Sequence, residues 1–551
     1  MAKKRKDKNF LVQGSILAFA GVLTKIIGIV YRVPLVNIVG NEGMGYYNVA
    51  FFIYIVALTL TSYSLPLAVS KLVSARIATG EYKNAYRVFK GAVVFSIVAG
   101  GAVSIVIFVF AKSIASDMMS LELSVYALRV LAPCILVVAV LGVMRGFFQG
   151  NGSMVPTAVS QVLEQIVNAA ASIIGAIVLL KTGEKIAAEK GSVSYGPAYA
   201  AAGGTIGTVL GAVMALAFLL LTFFAYRKLY RKKMKTDKGK PRERYGYIIQ
   251  ILLSTIAPVL LSATVYNISD FVDSAIFNRI MDVQGVPEVE YASMLGILGG
   301  QYSTLINVPL SISTALAAAV IPSLVATAKT GNRKQIHRKI QSVTRFNMLI
   351  AIPSAVGFIV LARPILDLLF TAEDNAKAAL MLQIGAISVI FFCLSTVTNS
   401  VLQGLDDMMT PVKNAALSLI IHVVSLFLLL VIFKLNIFAV VASKIIFSVV
   451  ICILNAHALR ERVGYVQEQR RTFLMPILSS LGMAVAAILV RILGGLFMAD
   501  KVCTVFALLI SVLTYLILLL RSGALRENEI LDMPKGQSIA ALCRKLHLLK
   551  E

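Results

Sequence analysis

Apolar positions along this chain come in long unbroken runs separated by short polar stretches. Fourteen such runs can be marked, at 10–38, 47–72, 89–111, 124–149, 155–180, 197–226, 247–278, 294–326, 344–370, 378–403, 411–433, 436–459, 473–498 and 502–521. Each is long enough to cross a hydrocarbon core of about 30 Å as a helix rising about 1.5 Å per residue. Runs that carry Pro or Gly, such as the first two, are expected to tilt or kink. The pattern therefore predicts an all-α integral membrane protein with 14 transmembrane helices.

Composition sharpens that picture. Of 551 residues, 58% are apolar and only 14% charged, against roughly half and a quarter in an average soluble chain. Disordered, collagen-like and disulfide-rich secreted classes are excluded, and a soluble enzyme is not expected. The five cysteines form no CxxC pair, and Cys134, Cys393, Cys452 and Cys503 fall in or beside apolar runs, so buried thiols are expected, with no metal site.

The net charge of +25 would suggest nucleic acid in a soluble protein, but here the positives sit between spans. With the N-terminus placed inside and loops alternating, 38 of the 52 basic residues fall on the inner side, 9 outside and 5 within spans. That asymmetry is the positive-inside pattern, and it places both termini in the cytoplasm. The positives then serve orientation and contact with anionic membrane lipids, and no nucleic-acid partner is expected.

Two short stretches recur at nearly one offset. Thr79-Gly80-Glu81-Tyr82-Lys83 matches Thr330-Gly331-Asn332-Arg333-Lys334, and Gln149-Gly150 matches Gln403-Gly404, about 254 residues on. An offset of six spans preserves orientation, as in the parallel repeats of secondary transporters, whose substrate site lies between the halves near mid-membrane. The expected organisation is a basic N-terminus (1–9), an N-lobe (10–226, spans 1–6), a basic cytoplasmic linker (227–246), a C-lobe (247–459, spans 7–12), spans 13–14 (473–521), and a cytoplasmic tail (522–551) whose segment Ser538–Lys550 reads as an interfacial helix.

A charge at the bilayer centre costs about 2.5–3.5 kcal/mol on insertion scales, so each one calls for a partner or a function. In span 1, Gly21, Lys25, Gly28 and Arg32 follow a 4-3-4 spacing and share one helical stripe. Two cations separated by residues without side chains leave room for a bulky anion; the competing reading is a Gly-packed helix face whose cations pair with carboxylates or snorkel to the interface. Span 7 carries Asn267, Asp270 and Asp273, a charge partner or cation site, or a local pairing that holds the lobes together. Span 5 carries Glu164 and Asn168, its repeat mate span 11 carries His422, and Arg145 in span 4 corresponds to Asn399 in span 10. These positions suit a hydrated lumen, and serve equally as interhelical hydrogen bonds. No phosphate-binding loop, HExxH, GxSxG or nucleophile–base pair appears, so neither an enzyme nor a built-in ATPase is expected, and no cofactor.

Several motifs carry a resemblance: Leu23-Thr24-Lys25-Ile26-Ile27-Gly28, Ser64-Leu65-Pro66-Leu67-Ala68-Val69, Ala319-Val320-Ile321-Pro322, Ile352-Pro353-Ser354-Ala355-Val356-Gly357 and Val401-Leu402-Gln403-Gly404. Over about residues 10–520 the chain resembles the polysaccharide-exporter branch of the multidrug/oligosaccharidyl-lipid/polysaccharide superfamily, in particular the Gram-positive lipid II flippases and stage V sporulation protein B proteins. The resemblance implies two six-helix lobes in a V around a cationic cavity, with two extra helices forming a groove for a polyprenyl tail. It implies alternating access that carries an undecaprenyl-pyrophosphate-linked glycan, lipid II foremost, from the inner to the outer leaflet of the bacterial cytoplasmic membrane. Lys25 and Arg32 would hold the pyrophosphate. Where Gram-negative relatives carry an Arg in helix eight, the segment before Pro309 holds Asn307 and no cation, and Glu42 matches only loosely an acidic position of the family. A monomer, with cell-wall synthesis proteins as partners, would follow. The competing functions are a cation-coupled multidrug exporter using Asp270 or Asp273, a flippase for another lipid-linked polysaccharide unit, and a non-transporting cell-wall scaffold.

Overall fold

Proline and glycine punctuate the helices where the apolar runs break. In the computed structural model, which describes residues 2–237, 241–328, 332–371 and 375–524 with a few tail positions, the first helix, α1, runs Ala2–Thr61. It bends at Gly40, whose φ of 73° and ψ of 172° leave helical space and suit a residue without Cβ. A turn then leads to α2 (Leu65–Ala78), with Pro66 in its first turn, where a missing N–H costs nothing. α3 (Tyr82–Val109), α4 (Val125–Gly150), α5 (Val155–Lys190), α6 (Tyr195–Lys235), α7 (Tyr245–Asn267), α8 (Ser269–Val283) and α9 (Glu288–Gly296) follow. After a π-helical turn at Ile297–Tyr302 come α10 (Ser303–Ala328), α11 (Arg333–Leu369), α12 (Ala376–Gly404), α13 (Met409–Val431), α14 (Ile437–Val463), α15 (Met475–Gly494) and α16 (Asp500–Arg521).

Among the described residues the protein is all-helical, with no strand, and eleven helices are long and apolar enough to cross a membrane. The expected fourteen is not reached on this measure. Phe19–Ala78 counts once although it covers two apolar runs, because the chain stays helical through most of the bend. α7 and α10, over the seventh and eighth runs, are apolar helices that are not among the eleven. The interfacial helix expected over Ser538–Lys550 lies outside the described residues except at Ala541, Arg544 and Lys545.

Packing divides the chain into two units, Met1–Gly300 and Gln301–Glu551. This is a division by contact, distinct from the division by repeat expected at the 227–246 loop. In the first unit α4 is the hub: it packs against α1, α2, α3 and α6, with Leu128, Leu131, Ile135 and Phe147 fully buried. Phe89, Phe147, Phe223 and Tyr230 cluster at its basic end in tilted and edge-to-face contacts, with Phe89–Phe147 centroids 4.4 Å apart. α5 and α6 approach closely because Gly203, Gly207 and Gly211 face Gly175, Ser172 and the Glu164 backbone, where any Cβ would collide. The linker is tied back onto the α2–α3 turn: Arg76 pairs with Glu243 at 2.7 Å, and Arg87 Nε donates to the Glu243 carbonyl at 2.8 Å.

In the second unit α12 takes the same part, packing against α10, α11 and α14. Asn347 of α11 donates to Ser313 Oγ and to the Cys393 carbonyl, both at 2.8 Å, which binds three helices through one amide. α15 and α16 pack on each other and on α11, where Tyr515 Oη donates to the Leu349 carbonyl at 2.8 Å. The turns after α4 and α12 both carry a left-handed residue, Gly152 at φ 80° and Asp406 at φ 65°, at the repeat offset read from the sequence. Before α15, Glu468 accepts from the backbone N–H groups of Arg471 and Thr472. Burial works to raise its carboxyl, but these bonds, the Thr472 hydroxyl and the Arg345 guanidinium outweigh it and hold it below the ordinary carboxylate range.

Candidate substrate-binding site

The α1 stripe is built from a straight helix followed by a fold-back. Lys25 and Arg32 stand about 10 Å apart along the axis, two turns. Arg32 Nη2 donates to Asn48 Oδ1 at 2.8 Å. In an unbroken helix those residues would lie about 24 Å apart along the axis, so the bend at Gly40 is what brings them together. Asn48 Nδ2 donates in turn to the Leu295 carbonyl at 3.3 Å, Arg32 reaches the Gly299 carbonyl at 3.5 Å, and its guanidinium carbon lies 4.8 Å from the Tyr47 ring centroid.

Small residues make this crossing possible. A Cβ on Gly45 would meet the Ala292 carbonyl, one on Gly296 the Asn41 carbonyl, and one on Gly299 the Asn48 amide. The backbone of 292–300 can therefore lie directly on α1 and offer its carbonyls to Asn48 and Arg32.

All these Arg32 partners are neutral. Among the described residues no carboxylate pairs with Arg32, and Lys25 is exposed with neither ion pair nor hydrogen bond. Gly21 faces open space, whereas Gly28 sits against Gln165 Nε2 of α5, which a Cβ would approach to 3.2 Å. One turn further along α5, Asn168 Nδ2 donates to Tyr31 Oη at 3.2 Å and accepts from Ser172. The α1 cations thus stand beside a polar face of α5.

The other expected positions separate into distinct settings. Arg145 is neutralised: its Nη2 lies 2.5 Å from Glu164 Oε2 and its Nε donates to Ser160 at 3.1 Å. Asn267 donates to Thr59 at 3.3 Å, Asp270 is exposed, and Asp273 is buried. In the second unit Asn455 donates to Asn399 at 2.7 Å and accepts from Asn414 at 2.9 Å; Asn399 and Asn414 stand 254 residues beyond Arg145 and Ser160, so where that pair bonds directly its repeat mates meet through a third amide. His422 is fully buried edge-on to Phe447, and Asn307 is exposed on α10. Glu42 accepts from Tyr46 at 3.0 Å.

Sequence reasoning did not find Asn48, Tyr47, Tyr31 or Gly299. The glycine pair Gly299-Gly300 and the glycine at 40 were the available signals, but neither names its partner.

Residues 116–513 match the model of the family described as lipid II flippase MurJ, and residues 17–174 match the MatE family model. Stage V sporulation protein B of Bacillus subtilis (strain 168) is 26% identical over 428 residues, 77% of this chain and 78% of its own length. Lipid II flippase MurJ of the same organism is 26% identical over 427 residues, 75% of each. Among solved structures, a lipid II flippase MurJ in an inward closed conformation aligns with a TM-score of 0.65 at 16% identity, over 91% of this chain and 97% of that one, which is a likeness of fold.

Proposed function

Because this chain belongs to the MurJ family, we propose that it is a flippase for a lipid-linked cell-wall precursor, lipid II foremost. A family of multi-pass membrane transporters needs no covalent step, and the chain is not an enzyme. The observation that carries the reading is the pair of α1 cations without carboxylate partners. A guanidinium and an ammonium two turns apart, set against neutral amides, offer a diphosphate several charge-assisted hydrogen bonds. Arg32 is held in place by Asn48 and Tyr47 with no opposing charge to displace, so an arriving pyrophosphate would meet it at full strength. Lys25, unattached, would close on the second phosphate.

The glycan would occupy the polar surface offered by Gln165, Asn168 and Tyr31. The polyprenyl chain would run along α15 and α16, whose outward faces expose Leu481, Val485, Leu489, Leu509 and Leu513. In this reading the lobes alternate access about the site, in the cytoplasmic membrane, with both termini inside. In a second reading, a cation-coupled exporter, Asp270 and Asp273 are the candidates for the coupled cation; the MatE match, over residues 17–174, does not reach them.

The deciding experiment reconstitutes the protein in vesicles with fluorescent lipid II and reads the fraction reduced by an impermeant quencher over time. Acceleration by the wild type and its loss in Lys25→Ala and Arg32→Ala are expected. Unchanged flipping in both variants would remove the pyrophosphate assignment. Efflux of a cationic dye abolished by Asp270→Asn, with no lipid movement, would move the reading to a drug exporter.

A further inference from the structure

A second amphipathic site lies in the first unit, away from the α1 stripe. Four helices, α3, α4, α6 and α7, leave between them a cavity of about 580 Å³. Its wall is almost wholly apolar, built from Phe89, Val94, Met144, Leu220, Phe224 and Ile249, with Lys90 at its edge. A smaller cavity of about 140 Å³ continues from it through the shared residues Lys90 and Phe223, and this one is lined by Arg227, Arg231, Tyr86 and Tyr230.

The two compartments differ in chemistry in the way a lipid does. Leu220 in the apolar part and Arg231 in the polar part lie about 16 Å apart along α6, a distance comparable to an acyl chain and its headgroup. Lys90, Arg227 and Arg231 are exposed, and no carboxylate among the described residues pairs with any of them. Lys90 lies instead 5.1 Å from the Tyr86 ring, which tilts against Tyr230 with centroids 5.8 Å apart. Three unneutralised cations over an apolar cleft call for an anionic head on a hydrocarbon tail, and this end of the helices carries the basic loops, where anionic lipids collect.

We propose that this double cavity is a binding site for an anionic diacyl phospholipid of the leaflet on the basic-loop side. The phosphate sits among Lys90, Arg227 and Arg231, and an acyl chain enters the cleft between α3 and α6. The linker clamp lies beside the site: Tyr245, which lines the cleft, sits under Arg87, with the guanidinium carbon 4.3 Å from its ring centroid. The assignment does not depend on the transport reading, since it uses none of its residues.

The test is native mass spectrometry of the full chain in detergent, titrated with dioleoyl phosphatidylglycerol, dioleoyl phosphatidylcholine or undecaprenyl phosphate. Phosphatidylglycerol is expected to remain bound where phosphatidylcholine does not. Removing the cations in Lys90→Ala/Arg227→Ala/Arg231→Ala should weaken it by roughly fivefold per charge and about a hundredfold in all. Val94→Trp, which fills the cleft and keeps every cation, should also weaken it, and Lys228→Ala, a cation that lines neither cavity, should leave it unchanged. Helical circular dichroism and a single elution peak establish that each variant is folded; if the triple variant fails this, Val94→Trp against Lys228→Ala decides alone. Equal binding of the zwitterionic lipid, equal loss in Lys228→Ala, full binding in Val94→Trp, or a site that retains undecaprenyl phosphate and releases phosphatidylglycerol would each overturn the proposal.

Discussion

Lys25 and Arg32 share a stripe but not a structural role, and separating them is the sharpest available test. Arg32→Ala deletes a charged hydrogen bond of 2.8 Å to Asn48, worth about 1.5–3 kcal/mol, and the contact with the Tyr47 ring, worth about 0.5–1 kcal/mol. It also frees the α1 fold-back from Gly299. A stability loss of about 2–4 kcal/mol is expected. Lys25→Ala deletes nothing that bonds within the protein, so its effect on stability should stay within about 0.5 kcal/mol. Both should lower apparent affinity for the lipid-linked diphosphate by about ten- to a hundredfold, the worth of one charge-assisted contact. Thermal unfolding in detergent reads the first quantity and vesicle flipping across a substrate titration the second. Flipping intact in Lys25→Ala, or a Lys25→Ala protein as destabilised as Arg32→Ala, would refute the division of labour.

Three further outcomes follow from packing and charge. Arg145→Ala strands Glu164 in a partly buried setting and should cost about 1–3 kcal/mol, whereas Arg145→Met/Glu164→Leu should recover most of it; a double-mutant cycle on the unfolding midpoint reads the coupling, and purely additive losses would show that the pair contributes nothing. Gly203→Leu places a side chain into the Gly175 backbone and should prevent recovery of a monodisperse protein by size-exclusion chromatography, while Gly21→Ala, facing open space, should elute as wild type. Glu468 is held below its ordinary range, so the stability it contributes is complete above its unfolded value, near pH 4, and is lost as pH falls through the lower folded value. Wild-type midpoints should therefore drop more steeply than those of Glu468→Gln between pH 6 and the acid limit, and parallel curves would contradict this.

The apolar pattern by itself determined that this is an all-helical membrane protein and that Gly21, Lys25, Gly28 and Arg32 share a face, because hydropathy and the 3.6-residue period are local properties of the chain; it did not fix the helix breaks, such as those at 62–64 and Ile268. Gly203, Gly207 and Gly211, four residues apart, leave a groove on α6, but only the tertiary structure laid α5 in it. Tertiary structure alone decided which cations are neutralised. Arg145 and Arg32 look alike in the sequence, yet one meets Glu164 and the other meets Asn48 and the Gly299 carbonyl. Their partners lie 19, 16 and 267 residues away. Which polar group faces which depends on the angle and depth of helix crossings, and those are set by side-chain volumes summed over whole faces, by Gly45, Gly296 and the bend at Gly40 together. No window of neighbouring residues contains that sum.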